Sequence, residues 1–387
     1  MGPVTRYPAL DGIRAIAAIG VVATHAAYWT GRYGPDTGGL FLARLDFGVA
    51  LFFVLSGFLL FRPWLLAARA DADGPSVRRY LWHRALRILP AYWVVVLVAF
   101  ALVPSVDGTG PQGLLRSLTL TQIYGDDQQR TGLTQMWSLA TEVVFYLLLP
   151  VFGWLLVAVL AGRRWRPLRI LAGCAALGGL TVVWYVATRT VVTFDISSVF
   201  WLPNYLDWFA AGMALAVLAV WWETDRERSP AVLRTVAAAP GSCWVLAGCL
   251  IAVAATPVAG AATLVPLPLG EALTKNLLYL AAALALIAPC VLRPELTAGT
   301  RWVGGSAMRW LGAISYEIFL VHILVLEGVM RVLDLETFTG STLQVFVLTL
   351  AVSVPLAWLL YRTVERPVRR LRDRVGSARP EPRPVRP

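Results

Sequence analysis

Ten stretches of this sequence stay apolar for long enough to cross about 30 Å of hydrocarbon, where every backbone polar group must find its partner inside the protein. They fall at approximately 10–30, 45–67, 88–104, 136–161, 170–189, 203–222, 243–262, 271–292, 309–332 and 342–362. With 58% of residues hydrophobic and only 15% charged, the chain is excluded from the class of ordinary water-soluble enzymes. The expected fold is an all-α polytopic membrane protein of about ten transmembrane helices. The seventh stretch contains Pro257 and precedes Pro266 and Pro268, so it is expected to bend or to enter the membrane only part-way. The first carries an internal charge pair and no clear small-residue cleavage site, and is therefore read as a span and not as a signal peptide.

Basic residues set the orientation. Placing both termini on the cytoplasmic side puts most of the 34 Lys and Arg residues in inner segments, as the positive-inside bias requires. The net charge of +11 is then accounted for by topology and anionic lipid; no soluble basic domain is present that would suit nucleic acid. Lys275 is the sole lysine, and the Arg, Ala and Gly bias suggests a GC-rich genome. Cys174, Cys243, Cys249 and Cys290 lie in or near predicted helices without a CxxC pair, which favours packing over disulfide or zinc chemistry. No internal repeat is visible. Residues 7–370 are expected to form one transmembrane domain, followed at 371–387 by a basic Pro/Arg-rich cytoplasmic tail that cannot pack a core.

Within the first span, Asp11, Arg14 and His25 interrupt an otherwise apolar helix. At about 100° per residue Arg14 and His25 point within roughly 20° of one another, about 16 Å apart along the axis, and Asp11 lies within about 60° of both. The remaining residues are fit for lipid, so one polar stripe climbs an apolar helix. Ionisable groups at membrane depth are costly and face a protein interior or a wet cavity, which makes the stripe a candidate functional site. Three other spans place ionisable groups at a similar depth: Glu142, with Tyr146 one turn further on the same face; Asp207 just below an outer helix end; and His322, with Ser315 seven residues below it. A histidine among carboxylates is what general-base chemistry on a hydroxyl needs. The competing reading makes His25 a core histidine bonded to a backbone carbonyl or to Tyr28, and makes Ser315 and His322 interhelical glue.

Below the third span an inner basic loop ends in Arg84-Ala85-Leu86-Arg87-Ile88-Leu89-Pro90. Arginines three apart on a helix can clamp a phosphate, although a positive-inside flank accounts for the same residues. Ser56-Gly57 in the second span permits close backbone approach. Glu365, beyond the tenth span, is suited to pair with an inner arginine.

The run Leu10-Asp11-Gly12-Ile13-Arg14-Ala15-Ile16-Ala17-Ala18, with His25, resembles the first-helix signature of the acyltransferase 3 family of integral membrane acyltransferases. Five further segments resemble that family in order. They are Phe52 to Phe58, the Arg84/Arg87/Pro90 segment, Trp137 to Glu142 with Phe145 and Tyr146, Gly312 to Tyr316 with Leu320 and His322, and Glu365-Arg366-Pro367. The resemblance covers residues 7 to 370. It implies a multi-pass enzyme of the bacterial plasma membrane that moves an acyl group, often acetyl, from cytoplasmic acyl-CoA to a hydroxyl of a sugar, glycolipid or other small acceptor. Carried onto this sequence, it implies a catalytic group of His25, Asp11, Arg14 and Glu142. Arg84 and Arg87 would contact coenzyme A phosphates, and Tyr146, Ser315, His322 and Trp137 would line the substrate site, to which its depth adds Asp207. Acyl-CoA is the implied co-substrate, with acetyl-CoA the first choice, and no metal is implied. The chain departs from the family pattern at Val143, Ala50 and Leu324, where an acid, an acid and a proline are common. No fused hydrolase-like domain is expected, with about 25 residues after the tenth span.

Two mechanisms remain open on the sequence: His25 as general base, or a relay through acyl-histidine. A transporter or flippase using the polar stripe as a proton or substrate path is the rival function. The missing internal repeat weighs against it.

Overall fold

The computed structural model describes residues 7–34, 36–125, 129–192, 196–263, 266–297 and 300–370; the expected tail at 371–387 lies outside them. Helix α1 (Pro8–Trp29) begins with proline in its first turn, where no intrahelical N–H is needed. Helix α2 (Thr37–Ala43) is short and capped by Asp36, whose carboxylate accepts from the Gly39 N–H at 2.9 Å. That hydrogen bond holds the Asp36 carboxyl below its usual range. Then follow α3 (Gly48–Arg69), α4 (Val77–Leu102), α5 (Gly110–Leu118), α6 (Met136–Gly153), α7 (Pro167–Thr190) and α8 (Leu206–Thr224). The chain closes with α9 (Val232–Ala238), α10 (Pro240–Ala254), α11 (Leu269–Leu292), α12 (Ser306–Ala313), α13 (Ser315–Val332) and α14 (Thr342–Leu360). No strand occurs among the described residues.

Eight helical runs among these residues are long and apolar enough to cross a bilayer, and the number reaches ten when two bent pairs each count as one span. The first bent pair is α9 with α10, turned by 93°. Its break lies at Ala239, ahead of the stretch where the prolines predict a bend; at Pro257 itself α10 has already ended, and Pro257–Ala259 forms a single 3-10 turn. The end of α10 is held by Arg44, which is buried and donates to the carbonyls of Ala254 (2.8 Å), Ala259 (3.1 Å) and Gly260 (2.5 Å). A guanidinium is a fitting cap for carbonyls that a helix end leaves unsatisfied. The second pair, α12 and α13, turns by 66° at Ile314, with the Ser315 hydroxyl donating to the Gly312 carbonyl at 2.8 Å.

Two features differ from the sequence reading. Helix α1 buries most of the residues that read as fit for lipid: Ile13, Ala15, Ala17, Ala18, Val21 and Val22 are buried, and Ile16 alone among them is exposed. The helix stands at the centre, packed on α3, α12, α13 and α14. Small residues serve a lipid face and a close-packed interior equally well, so composition alone did not separate the two. The basic segment before Pro90 is helical, because Ser76 caps α4 by accepting from the Arg79 N–H and nothing interrupts the helix from there. Arg84 and Arg87 therefore project from the shaft of α4 and not from a loop, as does His83.

Glycines set the closest helix contacts. A β-carbon at Gly57 of α3 would lie 2.1 Å from the Phe209 carbonyl oxygen, and one at Gly212 of α8 would lie 2.0 Å from the Val54 carbonyl oxygen. Gly12 and Gly312 lie against the Val303 and Asp11 carbonyls in the same way, so the Asp11-Gly12 pair is where α1 meets α12. Gly57→Val and Gly212→Val are each expected to lower the thermal midpoint of the detergent-purified protein, at a cost of at least about 1–3 kcal/mol for overpacking. Gly248→Val, whose β-carbon meets no atom within 4 Å, leaves the midpoint unchanged; equal effects at the three positions would contradict this packing.

Candidate active site

Helices α1, α3, α4, α6 and α13 surround a cavity of about 90 Å³. Arg14, Ser56, Arg84, Arg87, Ser138, Glu142, Tyr146 and Ser315 supply its polar lining, and Phe52, Phe53, Tyr316 and Phe319 its aromatic walls. On one side a single carboxylate oxygen gathers two hydroxyls. Glu142 Oε1 accepts from the Ser56 hydroxyl and from the Tyr146 hydroxyl at 2.6 Å. The Glu142–Tyr146 half of that arrangement follows from the i, i+4 spacing on α6; the Ser56 half requires α3 to pack against α6.

On the opposite wall Arg87 is claimed by carboxylates. It pairs with Glu365 and lies 3.9 Å from Glu317 Oε1, both of them almost completely buried. Glu365 also pairs with Arg369 and arrives there on a π-helical segment, Tyr361–Glu365, that continues α14. The Arg87 guanidinium stacks 5.3 Å from the centre of the Tyr316 ring, whose hydroxyl donates to the Ile88 carbonyl at 2.9 Å. Arg84 has no carboxylate within 4 Å among the described residues, so it is the cavity arginine of α4 with charge to spare.

His25 and His322 meet just past Phe319. His322 Nε2 lies 3.2 Å from His25 Nδ1, and the rings are centred 5.1 Å apart. Each Nδ1 also faces a carbonyl of its own helix, Val21 at 2.8 Å for His25 and Phe319 at 2.7 Å for His322. The register of α1 on α13 is fixed one turn further on, where Trp29 Nε1 donates to Glu327 Oε1 at 3.2 Å. The Phe319 ring lines the cavity and sits 5.8 Å from the His322 ring.

Of the residues singled out from the sequence, Arg14, Arg84, Arg87, Glu142, Tyr146 and Ser315 line one cavity, and His25 with His322 stands at its margin. Asp11, Trp137 and Asp207 do not line it. Asp11 lies at the start of α1 against Gly312. Trp137 packs on Phe200 and Tyr205, with ring centres 5.1 and 5.3 Å away. Asp207 is buried among α7, α8 and α11, where Asn276 Nδ2 donates to its Oδ1 at 3.4 Å. Nothing in the sequence marks Glu317, although it directly follows Ser315-Tyr316, and Ser56 reads there only as half of a close-approach pair. A second cluster, towards the His25 end, is not singled out either. There Lys275 pairs with Asp46 at 2.8 Å, Tyr279 donates to the same carboxylate, and Tyr33 bonds Thr24 beside His25. The one lysine in an arginine-rich chain was the available signal. No group of three or more His, Cys, Asp or Glu side chains that could hold a metal ion occurs among the described residues.

A family model described as an acyltransferase domain matches residues 7–362. Among curated proteins the chain is similar to acyltransferase MdmB of Streptomyces mycarofaciens, 27% identical across 98% of this chain and 96% of that one. It is also similar to peptidoglycan O-acetyltransferase OatA of Listeria monocytogenes, 25% identical across 95% of this chain and 57% of that one. The putative peptidoglycan O-acetyltransferase YrhL of Bacillus subtilis is 26% identical across 94% of this chain and 55% of the relative. The chain thus spans nearly the whole of the first relative and little more than half of the other two. No solved structure matches.

Arg87 and Arg84 should differ in what their loss does to the fold. Arg87→Ala leaves the buried Glu317 carboxylate without an ion partner and Glu365 with Arg369 alone, and is expected to destabilise the protein by about 3–5 kcal/mol. Arg84→Ala breaks no ion pair and leaves the thermal midpoint in place. A midpoint that is the same for both variants would contradict the ion-pair assignment.

Proposed function

The chain belongs to the acyltransferase 3 family and is a polytopic membrane acyltransferase; from that premise we propose that it transfers an acyl group, most simply acetyl, from acyl-CoA to a hydroxyl of a sugar, glycolipid or other small acceptor. The observation that carries this reading is the continuity between an arginine-lined cavity and a histidine pair. Arg14, Arg84 and Arg87 face the same space as Phe319, and Phe319 adjoins His322 and hence His25. Arginine is suited to the phosphates of a coenzyme A donor, and imidazole to the proton of an acceptor hydroxyl. Acetyl is also the group named for two of the relatives. At about 90 Å³ the cavity is smaller than the roughly 150 Å³ that takes up benzene, a size that suits a short acyl end over a fatty chain.

The donor enters from the arginine end, on the cytoplasmic side by the positive-inside bias, with Arg84 on its phosphates. Arg87, tied to Glu365 and Glu317, holds α4 against α13 and the end of α14. The thioester lies along Arg14 towards Phe319. His25 takes the proton of the acceptor hydroxyl as its oxygen attacks the thioester carbonyl. A C–O bond forms, the C–S bond breaks, and the proton leaves on the thiol of coenzyme A. General-base assistance of this kind contributes typically ~10²–10⁴ in rate. The acceptor is a glycan or glycolipid of the cell envelope, approaching from the other face.

Purified wild-type protein given acetyl-CoA and host envelope extract is expected to release coenzyme A and to yield a product heavier by one acetyl group. His25→Ala, made at normal levels, yields neither. Activity retained in His25→Ala would remove the histidine from the reaction, and no release by wild-type protein with any acyl chain length would direct attention to transport. Arg84→Ala is expected to raise the KM for acetyl-CoA about tenfold, the loss of about 1.4 kcal/mol of binding, with little change in kcat. An unchanged KM would leave Arg84 a topological charge only.

A further inference from the structure

We propose that His322 is a positioning residue that fixes the tautomer of His25, leaving His25 Nε2 as the unprotonated atom that receives the acceptor's proton. The inference deepens the reading of His25 as general base and rests on it for its catalytic consequence, but its structural part stands on the hydrogen bonds alone.

The argument is one of donors and acceptors. A carbonyl oxygen only accepts, so the Val21 carbonyl at 2.8 Å requires a proton on His25 Nδ1, and the Phe319 carbonyl at 2.7 Å requires one on His322 Nδ1. With its proton on Nδ1, a neutral His322 carries a lone pair on Nε2, which is the atom that lies 3.2 Å from His25 Nδ1. The His25 Nδ1–H is thus shared between the Val21 carbonyl and His322 Nε2, and the one imidazole nitrogen left without an assigned partner is His25 Nε2. The reverse assignment, with His322 Nε2–H donating to His25 Nδ1, would set the His25 lone pair against the Val21 carbonyl. The same network also tolerates His25 after it has taken a proton, because Nδ1–H keeps both acceptors and the new proton sits on Nε2. No hydrogen bond has to break when the base is charged. His322 stands where a carboxylate stands in the serine hydrolase triad, orienting the ring and accepting its Nδ1–H without itself taking a proton.

The surroundings hold this geometry. Gln135 Nε2 donates to the Leu320 carbonyl at 3.0 Å, fastening α13 to the start of α6 next to His322. Trp29 both donates to Glu327 and packs edge-on to His25, with ring centres 6.2 Å apart. Neither ring can turn over without losing a hydrogen bond to its own helix.

Two-bond ¹H–¹⁵N spectra of full-length protein with ¹⁵N-labelled histidine, in nanodiscs and without substrate, read the tautomers directly. Wild-type protein is expected to show His25 and His322 both protonated at Nδ1 and bare at Nε2. His322→Gln, whose amide oxygen can accept from His25 Nδ1–H, keeps the His25 signature and most of kcat. His322→Leu removes the acceptor, mixes the His25 tautomers and lowers kcat about 100-fold or more with the KM for acetyl-CoA unchanged. A wild-type His25 protonated at Nε2, or Gln and Leu variants that lose kcat equally, would overturn the assignment. Because the spectra need no turnover, activity surviving in His25→Ala would defeat the catalytic reading while leaving the tautomer result to be judged by itself.

Discussion

A guanidinium or carboxylate inside a bundle of membrane-spanning helices costs several kcal/mol unless another polar group meets it, and here the partners come from segments far apart in sequence. Arg87 of α4 is met by Glu317 of α13 and by Glu365 beyond α14. Glu142 of α6 is met by Ser56 of α3, Asp46 by Lys275 and Tyr279 of α11, and His25 of α1 by His322 of α13. Each pairing forces two or three helices to a fixed register. Together they set α1, α3, α4, α6 and α13 around one cavity. The requirement to satisfy buried polar groups thus shapes the same space that the chemistry uses.

The sequence made some of this legible. Long apolar runs announce a helical membrane bundle; the prolines near 257–268 mark where α10 stops short, while the 93° break lies ahead of them at Ala239. The shared face of Arg14 and His25 is geometry that any regular α1 must obey. The neighbours of that face were harder to read, because a helical projection gives direction but not contact. Asp11 shares the azimuth and still lies against Gly312, at the crossing with α12. Asp207 sits at a plausible depth, but its partner, Asn276, comes from a helix whose position no local pattern gives. Hydropathy marks only the apolar part of α4 and so assigns Arg84 and Arg87 to a loop, whereas the Ser76 cap extends the helix well below it. The burial of α1 was invisible for a different reason: alanine and glycine suit lipid and close helix packing alike.

The two ends of the site differ in kind. At the Arg84 end the chain offers fixed positive charge in a cavity, with Arg87 held back by its carboxylates and Arg84 free to engage an anion. At the His25 end it offers imidazole and hydroxyl groups and a Lys275–Asp46 ion pair whose charges offset one another. That polarity suits a phosphorylated donor at one end and a hydroxyl-bearing acceptor at the other. On the proposed reading the two approaches meet between α1 and α13, where His25 faces His322.

Sidedness tests that account most directly. Protein reconstituted into liposomes, with its orientation fixed by accessibility of a terminal tag, is given radiolabelled acetyl-CoA only on the Arg84 side and envelope glycan extract only on the His25 side. The account predicts labelled glycan on the His25 side and free coenzyme A on the Arg84 side, in equal amounts. Transfer that requires donor and acceptor on the same side would contradict it.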